Sequence, residues 1–265
     1  MGVAPPIWVN NRGWWLGPAI VLLALLAWEA ASVARWLNPF LFPPVHTILA
    51  SLAESLWDGR LMAAVGASLA RGGAGYLLAA LAGVGLGTLA GYHRVVHQAI
   101  EPIVEFVRPL PSPAIIPVAI LFLGIGASMK VFIVAWACFF PILLNTLDGV
   151  RAVPTPLIET SRNLGLGYVR TLRDVIVPSA SPTIATGLRI SLAVMLILTV
   201  VSEMVAGSSG IGYLILEAER TFRVAEMYGF ILALATVGFL LNRGFLALDR
   251  RLLAWHHAMQ RRSTP

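Results

Sequence analysis

Glu159-Thr160-Ser161-Arg162-Asn163-Leu164-Gly165, followed after nine residues by Val175-Ile176-Val177-Pro178, is the segment that decides how this chain is organised. It is polar, yet it lies between two stretches that are apolar enough to cross a membrane. Thr155 can cap a first short helix, which Pro156 can start. Gly165 can take the left-handed conformation that ends this helix, and Pro178 is expected to stop a second one. The segment therefore predicts a helical hairpin that is presented to one side of a membrane, where it docks a partner.

The composition is that of an integral membrane protein. Hydrophobic residues make up 58% of the chain and charged residues 12%, whereas soluble domains average about 45–50% and about 25%. The formal net charge of +6 comes from arginine, because Lys130 is the only lysine among 19 basic residues. In a membrane chain this excess reports topology, and no pattern of arginine with aromatic residues indicates nucleic-acid binding. Cys138 is alone in an apolar run, which excludes an internal disulfide and a cysteine metal cluster, and we expect a buried, inert thiol there.

Six apolar stretches are predicted to cross the bilayer, since one crossing takes about 20 residues. They cover about 14–36, 63–92, 103–123, 130–147, 183–206 and 227–248. An amphipathic helix on the membrane surface is predicted from His46 to Asp58, with Gly59 ending it. The predicted division is 1–62 (first span and periplasmic amphipathic segment), 63–250 (a five-helix core with its loop at about 148–181) and 251–265 (a cytoplasmic tail). The first stretch also fits a signal peptide, although an uncleaved helix gives an even number of spans.

Glycine and proline mark the second and third spans. Gly83, Gly87 and Gly91 recur every four residues, which predicts a smooth face that a neighbouring helix can approach closely. A polar turn is expected at His93–His97. The third span holds four prolines, which bend a helix and free backbone carbonyls, so this span is predicted to be buried in protein or to line a cavity. These prolines are Pro109, Pro111, Pro113 and Pro117.

The distribution of basic residues predicts the topology. With six spans, both termini and the hairpin fall on one side, which receives twelve arginines against six basic residues on the other, so that side is predicted to be cytoplasmic. The twelve are Arg12, Arg94, Arg108, Arg151, Arg162, Arg170, Arg173, Arg243, Arg250, Arg251, Arg261 and Arg262, and the six are Arg35, Arg60, Arg71, Lys130, Arg220 and Arg223. His256 and His257 are expected at the interface, and no metal site is predicted.

The hairpin resembles the EAA loop of ABC-importer permeases, which reads Glu-Ala-Ala, three residues, Gly, nine residues, then Ile-x-Leu-Pro. Thr160 and Ser161 replace the two alanines, and Val175 and Val177 replace the branched residues before the proline. Three further stretches resemble the nitrate, sulfonate and taurine branch of these permeases. They are Arg108-Pro-Leu-Pro-Ser-Pro-Ala-Ile-Ile-Pro117, Phe139-Phe-Pro-Ile-Leu-Leu-Asn-Thr146 and Ser202-Glu-Met-Val-Ala-Gly-Ser-Ser-Gly-Ile-Gly-Tyr213.

The resemblance implies an all-α integral membrane protein with six transmembrane helices, the type I ABC-importer permease fold and a cytoplasmic coupling helix. It implies a multi-pass subunit of the bacterial inner membrane that pairs with a second copy of itself. Two ATP-binding cassette ATPase subunits would dock on the hairpins, and a periplasmic solute-binding protein would deliver a small solute. That solute would be a sulfonate such as taurine, nitrate or a small heterocycle. The implied ATPase-coupling residues are Glu159, Thr160, Ser161, Gly165 and Pro178.

The chain is not expected to be an enzyme or to bind a cofactor. A nucleotide-binding P-loop needs Gly-x-x-x-x-Gly-Lys-Ser/Thr, in which backbone amides and the lysine cradle phosphates. Lys130 is the only lysine, and it stands between Met129 and Val131. ATP with Mg²⁺ is therefore expected in a partner ATPase.

Arg189, Glu203 and Asn145 are the candidates for the translocation pathway, because polar groups inside spans are costly and usually face a partner or an aqueous cavity. Arg189 could attract an anionic solute or close a gate, or it could snorkel to the cytoplasmic interface. Glu203 lies about 21 Å from it along one helix, so the two do not pair. Glu203 is expected to pair with a neighbouring basic group or to cap the following loop.

Two other classes of function remain open from the residues alone. An intramembrane enzyme would need a nucleophile and base, or a metal set, within the spans, where only scattered Ser, Thr and Asn occur. A secondary transporter would show internal repeats, and none is evident. Co-purification with an ATPase would separate these alternatives from an ABC permease.

Overall fold

Four of the six apolar stretches form helices that extend beyond the residues their hydropathy predicts. The computed structural model describes residues 15–254, within which the chain is helical, with no β-strand. The tail beyond 254, with His256 and His257, and Arg12 near the start lie outside the described residues. The α-helices are α1 (Leu16–Val33), α2 (Val45–Trp57), α3 (Arg60–Tyr92), α4 (Arg94–Val107), α5 (Ile116–Leu123), α6 (Ala127–Arg151), α7 (Thr155–Asn163), α8 (Tyr168–Thr171), α9 (Val177–Ala206), α10 (Ile211–Arg220) and α11 (Val224–Leu252), with a 3-10 turn at Ser112–Ile115 and a π turn at Leu172–Ile176.

Among residues 15–254, five helical segments are long and apolar enough to cross a membrane: α1, α3, α6, the continuous stretch Tyr168–Ala206 that ends in α9, and α11. A sixth crossing exists only if α4 and Ser112–Leu123, which meet at an angle of 88°, count as one span. The predicted all-α class is confirmed, with five or six spans. The predicted loop at 148–181 is too long, because α6 continues to Arg151 and α9 begins at Val177. The helical hydrogen bonds of α6 extend beyond the end of its apolar stretch, and those of α9 start before its apolar stretch begins.

The third predicted span is broken where its prolines lie. Helix α4 ends at Val107 and the next helical turn starts at Ser112, so Pro109 and Pro111 fall in the break. Proline has no N–H to donate and crowds the preceding turn, which explains the bend. The predicted polar turn at His93–His97 is wrong, since only His93 is extended (φ −105°, ψ 113°) and α4 begins directly after it. The apolar residues of Arg94–Val107 recur at helical spacing, so this segment forms an amphipathic helix although its first residues are polar.

Helices α3, α6 and α9 pack around the main core, and glycine on α3 allows their close approach. A methyl group added at Gly87 would lie 2.8 Å from the carbonyl oxygen of Leu143, and one at Gly83 would lie 2.9 Å from the Ile142 side chain. Gly91 meets Val150 in the same way. The predicted smooth face is confirmed, and α6 is the helix that packs on it. Cys138 is buried in this core, also as predicted.

Replacing Gly87 with alanine is expected to lower the free energy of unfolding by about 1–3 kcal/mol, because the added methyl group is forced against a backbone atom of α6. Gly85 is the matched control, since it is exposed on the same helix with open space around it. Alanine at Gly85 should leave stability equal or raise it by about 0.5–1 kcal/mol through helix propensity. Thermal unfolding of the purified variants in detergent measures both, and equal midpoints would contradict the assigned packing.

The N-terminal helix is joined to the surface helix by polar contacts. The Glu29 carboxylate accepts a 2.6 Å hydrogen bond from the backbone N–H of Val45 and lies 2.6 Å from His46 Nδ1. Ser32 Oγ donates to the Phe42 carbonyl at 2.6 Å. Helix α2 matches the predicted amphipathic segment, and Gly59 at φ +76° follows its end as predicted.

Helix α10 has no counterpart among the predicted spans and the predicted surface helix. Its buried side is formed by Ile211, Leu214, Ile215 and Ala218, which pack with Leu61 and Phe230. The helix is too short to span a bilayer, and its outward face is charged. Its first turn packs against Val200 and Glu203, near the end of α9 that is remote from the hairpin.

Candidate functional site

The predicted hairpin is present, and its turn depends on Gly165. This residue has φ +71°, a left-handed conformation that favours glycine. The N–H of Gly165 donates to the Arg162 carbonyl at 2.9 Å, and the N–H of Leu166 donates to the Ser161 carbonyl at 3.0 Å. These two bonds form a Schellman cap, which satisfies the last carbonyls of α7. The role predicted for Gly165 in the turn is confirmed.

Two details of the predicted hairpin are wrong. The residue that precedes the helix is Pro154, and Thr155 is already in the first turn and makes no capping hydrogen bond. Pro178 does not stop a second helix, because it lies in the first turn of α9, which continues to Ala206. A proline ring crowds the carbonyl four residues earlier, here that of Asp174, and the wider π turn at Leu172–Ile176 accommodates it. The hairpin is thus joined to α9 without a loop.

Ser161 lies inside the hairpin, where it cannot contact a docked protein. Its side chain is 2% exposed, and its hydroxyl donates to the Ile158 carbonyl at 2.7 Å. Ser161 Oγ is also 3.4 Å from Thr171 Oγ1, so the two arms of the hairpin meet through these small polar residues. Only a small side chain fits between the two arms. This explains why a small residue occupies position 161 in the Glu159–Gly165 segment.

Tyr168 fixes the hairpin to the junction of α3 and α4. Its hydroxyl is hydrogen-bonded to His93 Nε2, and its ring stacks on the His93 ring at a centroid distance of 5.2 Å. The Tyr92 ring packs against Tyr168 at a centroid distance of 4.8 Å and against His93 at 5.5 Å, so the three rings form one cluster. Ile158 and Leu172 pack against the cluster that contains Val150, Val153 and Ile176. The hairpin therefore contacts three of the long helices, α3, α6 and α9.

The outward face of the hairpin combines apolar and polar groups. Leu164 is 73% exposed and Val169 is 71% exposed. Glu159 and Thr160 on α7 are also exposed, and the Thr160 hydroxyl donates to the Pro156 carbonyl at 2.7 Å. An apolar patch rimmed by polar residues is typical of a protein-docking surface. Of the five predicted coupling residues, Glu159, Thr160 and Gly165 are exposed, Pro178 is half-buried at the start of α9 and Ser161 is buried.

The candidate pathway residues are not brought together. Arg189 is exposed and its Nε donates to Asn242 Oδ1 on α11 at 3.3 Å. It lies twelve residues after the start of α9, about 18 Å along the helix axis. The span predicted from hydropathy begins only at about 183, so Arg189 is farther from the start of its helix than the sequence predicts. Asn145 is half-buried between α6 and α9, and its amide donates to the Pro141 carbonyl at 2.8 Å. Their roles in a pathway remain predictions.

Glu203 is fully buried at the other end of α9, with a complete set of partners. Its carboxylate accepts hydrogen bonds from Arg71 Nη2 at 2.6 Å, from Ser68 Oγ at 2.9 Å and from the N–H of Gly212 at 3.0 Å. Both roles expected for it, pairing with a basic group and capping the following segment, are confirmed. Ser68 Oγ accepts from the N–H of Ile211, so both side chains cap the N-terminus of α10. This position is structural and accounts for Glu203 without a place on a pathway.

Four residues of these two sites were missed by sequence reasoning: Ser68, Arg71, Tyr168 and His93. Arg71 is separated from Glu203 by 132 positions and Tyr168 from His93 by 75, so no local pattern joins either pair. The one available indication was Arg71 itself, a charged residue within a predicted span, for which a partner had to exist.

Comparison with known proteins agrees with this geometry. Residues 83–254 match the family model described as "Binding-protein-dependent transport system inner membrane component". The chain is 30% identical to the taurine transport system permease protein of Escherichia coli, over 96% of this chain and 94% of that protein. It is 30% identical to the bicarbonate transport system permease protein of Synechocystis, over 92% of this chain and 90% of that protein.

Solved structures share the fold at lower identity. A chain of the inward-facing MetNI methionine ABC transporter aligns with a TM-score of 0.64 at 20% identity, covering 75% of this chain and 97% of that one. A chain of an amino acid ABC transporter aligns with a TM-score of 0.58 at 18% identity, covering 74% and 94%. With a family match over most of its length and relatives matched nearly end to end, the chain belongs to the family of inner-membrane components of binding-protein-dependent transport systems, the permeases of ABC importers.

Proposed function

We propose that this chain is the permease subunit of an ATP-driven importer for a small anion of the sulfonate, taurine, nitrate or bicarbonate type. Two copies form the translocation pathway, a periplasmic binding protein delivers the solute, and two separate ATPase subunits supply the energy. Relatives that transport taurine and bicarbonate support the solute class. The observation that carries the proposal is the rigid hairpin, with an exposed docking face on one side and a firm attachment to the long helices on the other.

The mechanism follows from how the hairpin is attached. An ATPase that closes on ATP moves the docked α7, and the Schellman turn keeps the two arms of the hairpin at a fixed angle. Tyr168 passes the displacement to α3 and α4, while the π turn passes it to α9. Because α3, α6 and α9 share one core, the displacement tilts the bundle as a unit and changes access to the pathway. ATP and Mg²⁺ act in the ATPase.

The orientation of the chain follows from its arginines. Arg162, Arg170 and Arg173 lie on or beside the hairpin, and the positive-inside rule assigns this end to the cytoplasm. We infer that the chain is a multi-pass protein of the bacterial inner membrane with both termini in the cytoplasm. Helix α10 and the Glu203 network then face the periplasm, where a binding protein docks.

Co-purification tests this proposal. The permease should retain an ATPase expressed with it through affinity purification, and a variant with both Leu164→Asp and Val169→Asp should lose it, because two charges then replace the apolar part of the docking face. Leu121→Asn is the matched control, a similarly exposed apolar residue on α5, remote from the hairpin. Equal retention of the ATPase by wild type and by the hairpin variant would contradict the proposal.

A further inference from the structure

A groove between α9 and α11 has one polar end and apolar walls. Its volume is about 540 Å³, and among the described residues that line it only Arg189 and Asn242 are polar. These two residues are hydrogen-bonded to each other, and further along the groove Gly238 faces Leu196. The two helices therefore run antiparallel, and the polar pair closes one end. The apolar walls include Leu196, Ile197, Val200 and Leu234.

Arg189 places an unpaired charge within the membrane. Helix α9 has 30 residues and is about 45 Å long, which exceeds the hydrocarbon core by about 15 Å. Since Arg189 is about 18 Å from one end of α9 and about 26 Å from the other, it lies inside the core at every position in which α9 spans it. Within residues 15–254, no carboxylate lies within ion-pair distance of its guanidinium. A charge in this situation is costly and marks a functional position.

The polar end of the groove has unused hydrogen-bond donors. Arg189 Nε donates to Asn242 Oδ1 at 3.3 Å, which anchors the guanidinium to α11. Arg189 is exposed, and its two Nη groups have no acceptor within the part of the chain that the structure describes. Because Asn242 Oδ1 faces the guanidinium, the amide nitrogen of Asn242 supplies a further donor. A full positive charge with several N–H donors, in a cavity that no carboxylate lines, is suited to an oxyanion head group.

We propose that Arg189 and Asn242 hold the anionic head of the transported solute and that the apolar walls of the groove hold its tail. The guanidinium binds two oxygens of the head group, and Asn242 keeps it in place. This proposal rests on the import function proposed above and narrows the solute to an anion with an apolar tail. An alkanesulfonate has such a tail, whereas nitrate and bicarbonate have none and the short chain of taurine ends in an ammonium group. A phospholipid is not the expected occupant, because its head group lies outside the hydrocarbon core that contains Arg189.

Equilibrium binding of radiolabelled hexanesulfonate tests the site. The permease, without an ATPase or a binding protein, is placed in phosphatidylcholine nanodiscs, and binding to empty nanodiscs is subtracted. Unlabelled hexanesulfonate should compete more strongly than ethanesulfonate, by up to about fourfold for each added methylene, because the added methylenes enter the apolar walls. Sulfate lacks the tail and hexanol lacks the charge, so both should compete at least about tenfold more weakly than hexanesulfonate.

Substitutions at position 189 test the head-group contact. Arg189→Gln should weaken hexanesulfonate binding about tenfold or more, because the charged donors are lost. Arg189→Lys should recover part of the binding, because the charge remains. Arg243→Gln is the matched control, since Arg243 is also an exposed arginine but packs over Phe239 and does not line the groove. Its binding should equal that of the wild type.

A substitution at Gly238 tests the tail contact. Gly238 lines the groove on α11, so the side chain of Gly238→Leu should fill part of it and reduce the advantage of hexanesulfonate over ethanesulfonate. Gly244→Leu is the matched control, because Gly244 lies on the same helix, has open space around it and lines a separate groove toward α2 and α3. Gly244→Leu should keep the dependence on chain length.

Three results would overturn the proposal: no saturable binding to the wild type, equal binding by Arg189→Gln, and equal competition by hexanol and hexanesulfonate. The comparison of ligands on the wild type decides the question even if a variant does not fold. In nanodiscs that contain phosphatidylglycerol, unchanged binding supports the solute site, whereas loss of binding would assign the groove to an anionic lipid and overturn it. Because no ATPase is present, absent binding beside intact ATP-driven uptake would overturn this site alone and leave the import function standing.

Discussion

Glu203→Gln is expected to reduce the free energy of unfolding by about 3 kcal/mol, because it leaves the Arg71 guanidinium buried without its counter-ion. The neutral amide keeps the shape of the side chain and can still accept from Ser68, so the loss reports the missing charge and not a cavity. The consequence should be little folded permease in the membrane fraction. Size-exclusion chromatography and thermal unfolding of the detergent-extracted protein measure this loss.

A surface carboxylate provides the control. Glu217 is about one-third exposed and lies 3.9 Å from Arg223, so Glu217→Gln should change the free energy of unfolding by less than about 1 kcal/mol. The double variant Glu203→Gln with Arg71→Gln should be more stable than Glu203→Gln alone, because no unpaired guanidinium remains. If Glu203→Gln and Glu217→Gln unfold at the same temperature, the buried network does not hold α3, α9 and α10 together.

Gly165→Val is expected to abolish ATP-driven uptake while the permease stays inserted and folded. A β-branched residue is strongly disfavoured at φ +71°, whereas the space around Gly165 is open, so the strain is confined to the backbone of the turn. The turn must then change its conformation, and α7 changes its angle to the rest of the subunit. Uptake by intact cells, set against the amount of permease in the membrane, measures the effect.

Two variants separate the backbone conformation from the added side chain. Gly165→Asn should keep most of the uptake, because asparagine enters the left-handed region at low cost. Gly167→Val should also transport, since Gly167 is extended at φ −67° and has open space around it. Normal uptake by Gly165→Val, or equal loss in Gly167→Val, would show that the left-handed turn is not what couples the hairpin to transport.

Local patterns were sufficient for the features that depend on neighbouring residues. The spacing of Gly83, Gly87 and Gly91 predicts a helix-packing face, and the left-handed turn at Gly165 follows from its place after a short polar helix. The bend near Pro109 and Pro111 follows from the missing N–H groups. In each case the physical cause lies within one helical turn of the residue, so the sequence alone displays it.

The remaining features could not be predicted for one of two reasons. Either they depend on residues that are distant in the chain, or a local signal is overridden by the structure around it. Pro178 reads locally as a helix stop, but the π turn before it absorbs the steric clash and the helix continues. Glu203 could be assigned a partner in principle, yet only the fold shows that the partner is Arg71. Helix α10 is short and amphipathic, so hydropathy cannot distinguish it from a polar loop.

ATP-dependent solute uptake into proteoliposomes tests the central claim most directly. Liposomes should carry this permease and an ATPase that co-purifies with it, with the binding protein and a radiolabelled sulfonate or taurine on one side and ATP with Mg²⁺ on the side of the hairpin. Accumulation that requires the binding protein, the ATPase and ATP hydrolysis is the predicted result. Accumulation by the permease alone, driven by a proton or sodium gradient and indifferent to ATP, would contradict the claim and identify a secondary transporter.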